Sequence, residues 1–223
     1  MVSAPSPQFI LASASPRRSQ LLALTGWTFT TAEAFLDESP QPGEAPEALA
    51  ARLAHAKAQA AGASGPSWVL AADTVVVDQG KLLGKPDGDQ EALAMLSSLR
   101  GRRHQVITGI VILNPVTGGQ QSETCRSDVP MRSYSPAEAE AFVARGAALD
   151  KAGGYGIQDR TFRPVDMDLM QDCYANVMGL PLCHLVRAMR RLGVEPPRDV
   201  PEACQAHTQY RCPVYRDILE GRR

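Results

Sequence analysis

The sequence carries no excess of charge: 23 Lys and Arg stand against 24 Asp and Glu, a net charge of −1 over 223 residues. A chain this close to neutrality makes no overall field to gather nucleic acid or an anionic membrane, so any basic site must be local. Long apolar runs are missing too, none approaching the ~20 residues a membrane span needs. The opening residues through Ser6-Pro7-Gln8 have neither the basic start nor the apolar run of a leader peptide. These absences predict a cytoplasmic chain with no nucleic-acid and no membrane partner. A disulfide framework is also lacking. Cys125, Cys173, Cys183, Cys204 and Cys212 are odd in number and irregular in spacing, and a chain of this size needs no staples, so they read as thiols. There is no Walker A string, no G-x-S-x-G and no dinucleotide glycine fingerprint, which removes the familiar routes to phosphate binding and acyl transfer. Cys204, His207 and Cys212 are spaced like no common zinc finger and lack a clear fourth ligand.

What is present suffices for a core, since 44% of the residues are hydrophobic. Phe9 to Ala12 reads as a buried strand, and Ser15-Pro16 as an N-cap followed by proline at the first helical position. A second helix is predicted from about Glu47 to Ala61, and a strand covered on both faces from Trp68 to Val77. Asp78-Gln79-Gly80 is a hairpin turn to Lys81-Leu82-Leu83, and Gln90 to Leu99 a further helix. Strands follow at about 104–113 and 120–130, around the turn-rich Asn114-Pro115 and Gly118-Gly119. Ser135-Pro136-Ala137-Glu138 is a capping box, and a last helix runs from about Leu180 to Leu192. The alternation implies an α/β or α+β domain with a mixed sheet over residues 8–194. Residues 195–223, proline-rich and polar, read as a C-terminal extension of unknown role.

Ser13-Ala14-Ser15-Pro16-Arg17-Arg18 places two hydroxyls and two guanidiniums at a helix start, where free N–H groups and the dipole favour an anion; taken alone, the string reads as an ordinary capped helix. Asp73, beside Thr74, interrupts an apolar strand, and a carboxylate there must be hydrogen-bonded, metal-bound or functional. Asp37 and Glu38 form an acidic loop pair that is solvated by default, but set across a cleft from Asp73 they would make a hard-metal site. Lys57 and Lys85 are ordinary as single residues, although Gly84-Lys85-Pro86 gives its lysine a fixed direction toward phosphate. In Asp150-Lys151-Ala152-Gly153-Gly154-Tyr155-Gly156-Ile157-Gln158 the missing side chains let a ligand approach the backbone, and Gln158 has the donor and acceptor needed to read a base edge.

Taken together, these blocks, with Gly101-Arg102-Arg103-His104-Gln105-Val106-Ile107-Thr108-Gly109 and Asn176-Val177-Met178-Gly179-Leu180-Pro181-Leu182, resemble the Maf family of septum formation inhibitor-like proteins over about residues 8–192. The resemblance implies an elongated α/β protein with a mixed sheet, akin to inosine triphosphatases, with a nucleotide in a cleft between two lobes. It implies hydrolysis of a nucleoside triphosphate to monophosphate and pyrophosphate, with Mg²⁺ or Mn²⁺, in a chain that forms a homodimer. Position by position, Asp73 matches the proton acceptor, Asp37 an acidic residue near metal and water, and Lys57 and Lys85 the phosphate-facing lysines. Ser13 with Arg17 matches the anion-binding turn. Arg17, Thr74 and Gln158, with the Lys151 to Gln158 string, resemble the branch acting on dTTP and UTP, and modified pyrimidine nucleotides are included in that expectation. Two departures stand out: Asp37 replaces a more usual Glu, and Asp159 to Tyr174 lacks glycines found in relatives, so that stretch is expected to form a different loop over the base or at a subunit contact. The competing reading is a non-catalytic nucleotide-binding regulator of cell division.

Overall fold

The computed structural model describes residues 8–61, 67–114 and 116–223, so the opening Met1 to Pro7 and Pro115 of the predicted turn lie outside the described residues. Strands build one mixed sheet in the order β2-β1-β3-β5-β6, with β4 attached to β3. β1 (Phe9–Ala12) runs parallel to β2 (Phe29–Ala32) and to β3 (Trp68–Asp78). β4 (Lys81–Leu83) and β5 (Arg103–Leu113) pair antiparallel with β3, and β6 (Gln120–Pro130) antiparallel with β5. The helices are α1 (Pro16–Ala23), α2 (Pro46–Ala61), α3 (Asp89–Leu99), α4 (Pro136–Val143), α5 (Tyr174–Val177), α6 (Leu182–Arg191), α7 (Val200–Thr208) and α8 (Tyr215–Leu219). A mixed sheet flanked by helices is the class the sequence predicts.

β3 is apolar nearly throughout because helices cover both its faces. Leu70, Ala72 and Val76 enter the large core with Leu21 and Leu22 of α1, Leu96 and Leu99 of α3 and Leu185 and Met189 of α6. Val69 and Ala71, then Val75 and Val77, face α2 through Ala54 and Ala58 and through Leu49 and Leu53. By the two-residue period of a strand, Asp73 falls on the α2 face and Thr74 on the other.

The register opens a gap beside β3. Leu70 is the last residue in register with β1, and Val76 the first with β4. Between them β3 keeps β5 on one edge, with Asp73 opposite Gly109 and Thr74 opposite Thr108. β1 stops at Ala12, and the chain turns there into α1.

The extension does not hang free. Val200, Tyr210, Val214 and Ile218 are buried in the large core, and Tyr210 Oη donates to Met170 O at 2.8 Å. Arg187 Nη1 donates to Ile218 O, and Arg223 pairs with Asp172 at 2.5 Å. Part of the Asp159 to Tyr174 stretch packs on the body of the protein. Phe162 stacks on Phe142 with centroids 4.6 Å apart, Arg132 N–H donates to Pro164 O, and Met170 is buried. None of these residues lines the cleft described next.

Candidate active site

A cleft of about 570 Å³ opens at the gap beside β3, a size suited to a small-molecule ligand. It is lined by the β1–α1 turn, residues 33–35 and Glu38 after β2, Lys57, Asp73, Thr74, Lys85, the 150–158 stretch and Val177 to Gly179. Of the residues singled out from sequence, Ser13, Arg17, Lys57, Asp73, Thr74, Lys85, Lys151 and Gln158 all line it.

Lys57 and Asp73 form its floor. Ala50, Leu53, Ala54, Lys57 and Ala58 make the buried stripe of α2, so Lys57 sits where an apolar residue is expected and is only 8% exposed. Its ammonium meets Asp73 Oδ1 at 2.5 Å and Glu38 Oε1 at 2.6 Å. Asp73 is 6% exposed, and a charge so buried requires such a partner. Gly109 allows the approach: a Cβ there would meet Ala50 O of α2 at 2.6 Å.

Asp37 does not join them. It is exposed, lines no part of the cleft, and its Oδ1 accepts the Ser39 N–H at 2.9 Å; hydrogen bonding to Ser39, by its side chain first and its backbone second, holds the carboxyl below the usual carboxylate range. Glu38 reaches Lys57 instead. The two carboxylates that meet at one point, the Lys57 ammonium, are thus Glu38 and Asp73, with Asp37 outside the cleft. Among the described residues no group of three or more His, Cys, Asp or Glu forms a metal cage. Two carboxylates on one point are nonetheless hard oxygen donors of the kind that suits a divalent cation.

The α1 start is built for an anion. Ser15 makes no side-chain cap bond, and Pro16 occupies the first turn, so the remaining first-turn N–H groups have no cap. Ser13 Oγ accepts from Ser15 N–H and from Arg18 Nη1, both at 3.2 Å. Arg18, which the sequence suggested only as one of two phosphate guanidiniums, is the strut of the site. Its Nε donates to Gly179 O at 2.9 Å and its Nη2 to Thr74 Oγ1 at 3.0 Å, while burial lowers its pKa against the pull of Asp73. Gly179 is required beside it, with φ of 105° and a Cβ position 3.3 Å from Arg18 Nε. Thr74 Oγ1 also meets Thr108 Oγ1 at 3.0 Å, and Thr108 donates to Asn176 O at 3.2 Å, tying the 174–179 block to mid-sheet.

On the 150–158 stretch, Lys151 Nζ donates to Ala147 O at 2.7 Å and to Asp150 Oδ1 at 2.5 Å, so its ammonium is already engaged. Asp150 also takes Arg17 at 3.3 Å. Burial raises the Asp150 pKa, but Lys151 and Arg17 outweigh it and the carboxyl lies below its ordinary value. Gly153 N–H donates to Gly84 O at 2.9 Å, which fixes the Lys85 loop against this stretch. Gly156 leaves the wall thin: a Cβ would lie 3.1 Å from Gln158 Nε2 and from Lys151 Cε.

The family model for Maf-like protein matches residues 8–192, which takes in every one of these residues. This chain belongs to the Maf family. The chain is similar to a dTTP/UTP pyrophosphatase from Dehalococcoides mccartyi, 46% identical over 85% of this chain and 84% of that one, and to a dTTP/UTP pyrophosphatase from Thermomicrobium roseum, 44% identical over 92% of this chain and 93% of that one. Coverage of 92% is more than residues 1–192 can hold, so the second similarity runs into the C-terminal extension. Among solved structures the Staphylococcus aureus Ham1 protein is similar at 14% identity and a TM-score of 0.46, over 91% of this chain and 98% of that one; so distant a likeness carries no further argument.

Proposed function

We propose that this Maf-family protein hydrolyses pyrimidine nucleoside triphosphates, dTTP and UTP first among them, to the monophosphate and pyrophosphate. The observation that carries the reading is the buried Lys57–Asp73 pair at the floor of a cleft whose walls hold Ser13, Arg17 and Lys85. The relatives named dTTP/UTP pyrophosphatase support the same substrate class.

In this reading the uncapped start of α1, the Ser13 hydroxyl and the Arg17 fork hold phosphate oxygens, and Lys85 reaches them from its loop. Asp73 takes the proton of a water that attacks the α-phosphorus as the bond to the β-phosphate oxygen breaks and pyrophosphate leaves. Lys57 keeps the Asp73 carboxylate in place and follows the growing negative charge. Asp73 and Glu38 would hold a divalent cation, Mg²⁺ or Mn²⁺, which when bound neutralises phosphoryl oxygens. Gln158 reads the edge of the base. The five cysteines are free thiols, which supports a cytoplasmic setting, and no helix among the described residues is long and apolar enough to cross a membrane. A regulator that only senses nucleotide has no observation in its favour.

The deciding measurement is pyrophosphate released from a panel of triphosphates with Mg²⁺ or Mn²⁺. The expected outcome is turnover of UTP and dTTP ahead of purines, and release of orthophosphate alone would overturn the reading. Asp73→Asn should lower kcat by about 10³-fold or more, the scale of losing an oriented base, while UTP still binds by titration. Near-parental kcat in that variant would remove Asp73 from the role.

A further inference from the structure

The geometry points to Phe35 as the residue that stacks on the nucleobase, an inference that rests on the proposed function for the identity of the ligand. Phe35 is 88% exposed, the most exposed large hydrophobic residue among those described, yet it lines the cleft. A single exposed apolar side chain is unremarkable on an open surface. Here it stands on a segment pinned on both sides. β2 precedes it; Leu36 packs on the Leu49, Leu53 and Val75 cluster; Glu38 pairs with Lys57 at 2.6 Å; and Arg52 Nη2 donates to Ser39 O at 3.1 Å. With Leu36 turned to the core, its neighbour is left toward the cleft. The phenyl therefore stands at the cleft on an anchored segment rather than on a free loop.

The remaining contents of the cleft decide what it meets. Ser13, Arg17, Arg18, Lys57 and Lys85 are cationic or hydroxyl-bearing and suit phosphates. A nucleotide also brings a flat, largely apolar ring, and Gln158 supplies the hydrogen-bonding partner for its edge but no surface for its face. Phe35 supplies such a surface. Aromatic stacking tolerates any base, so Phe35 would give affinity while Gln158 gives discrimination.

The test separates base from phosphate. Phe35→Ala and Phe35→Trp are titrated with a non-hydrolysable α,β-imido analogue of UTP and, separately, with inorganic tripolyphosphate. The alanine variant should lose about 10-fold or more in affinity for the analogue and bind tripolyphosphate like the parent, and in turnover the effect should fall on KM rather than on kcat. The tryptophan variant should restore affinity and show emission quenched by the analogue but not by tripolyphosphate, against the parent as background for Trp27 and Trp68. Equal affinity of Phe35→Ala and parent for the analogue would overturn the assignment, as would equal loss toward both ligands. A changed sedimentation coefficient with nucleotide affinity intact would place the phenyl at a contact between copies and also overturn it. A parent that binds the analogue through Phe35 but releases no pyrophosphate from any triphosphate would sink the proposed function and leave the stacking standing.

Discussion

His104 and His184 are buried, and Nδ1 of each finds no hydrogen-bond partner. Burial drives both to about 4, opposed at His104 by Asp78 and reinforced at His184 by Arg187. The folded chain thus keeps them neutral while the unfolded chain, titrating near 6.5, takes up protons first. Between about 6.5 and 4 the unfolded state binds more protons, so stability falls as the pH falls. At pH 5 each histidine should have removed on the order of 2 kcal/mol relative to pH 7. Urea unfolding at pH 7, 6 and 5 checks this, and His184→Leu should lose about half of the pH dependence; an unchanged slope would contradict it. In the site itself, single residues were unevenly legible. Asp73 announces itself as a carboxylate inside an apolar strand, whereas Lys57 reads as an ordinary lysine on its own, and only the resemblance points to it before the structure shows it on the buried stripe of α2. Asp37 and Glu38 are neighbours in a loop with no periodicity, so nothing in their order says which carboxylate turns toward the lysine. Arg18 is chemically the twin of Arg17; only the position of Gly179 and Thr74 in space makes one a strut and the other a cleft-facing fork.

At the scale of elements, the site is a matter of how closely α2 lies on β3 and β5. Gly109 stands opposite Asp73 in the ladder, and its missing side chain is where the α2 backbone rests. An added methyl would meet Ala50 O at 2.6 Å and Ala51 N at 2.8 Å, backbone atoms that cannot rotate away. Gly109→Ala must therefore lift the helix, at a cost of about 1–3 kcal/mol for overpacking, and draw Lys57 off Asp73. Misplacement on that scale lowers rates by about 10–100-fold. The expected result is a Tm lowered by several degrees together with a kcat loss larger than any change in KM, and a variant stable and active like the parent would refute the packing argument. Long elements with a strong period, such as α2, β3 and β5, were readable, because burial on one or both faces writes itself into the order of apolar residues. β2 was not: in Phe-Thr-Thr-Ala at the sheet edge both threonines are exposed and the two ends half-buried, so there is no alternation to read. The gap in the pairing of β3 was not readable either, since it depends on where two different partners stop.

For the whole molecule, the question is where the folding unit ends. The prolines and polar residues of the extension read as an appendage, although the sequence also carries helix signals there. Asp199 caps α7 by accepting the Glu202 N–H, and Pro201 lies in the first turn, where proline is favoured. What the sequence could not reveal is that Val200, Tyr210, Val214 and Ile218 complete the same core as α6, and that Arg187 on α6 reaches both Ile218 O and Arg223 O. Fully burying a side chain of this kind contributes about 1.5–3 kcal/mol. Four of them amount to roughly 6–12 kcal/mol, comparable to the net stability of about 5–15 kcal/mol of a typical domain. Loss of Arg223 also strips Asp172 of its guanidinium partner, a carboxylate that burial already lifts above its ordinary pKa. A chain ending at Arg198 should consequently show no cooperative thermal transition, or aggregate, and have no measurable pyrophosphate release, although every cleft residue remains in it. If that shortened chain unfolded cooperatively near the parental Tm and kept the parental kcat, residues 199–223 would be a separable appendage after all, and the core would have to be redrawn without them.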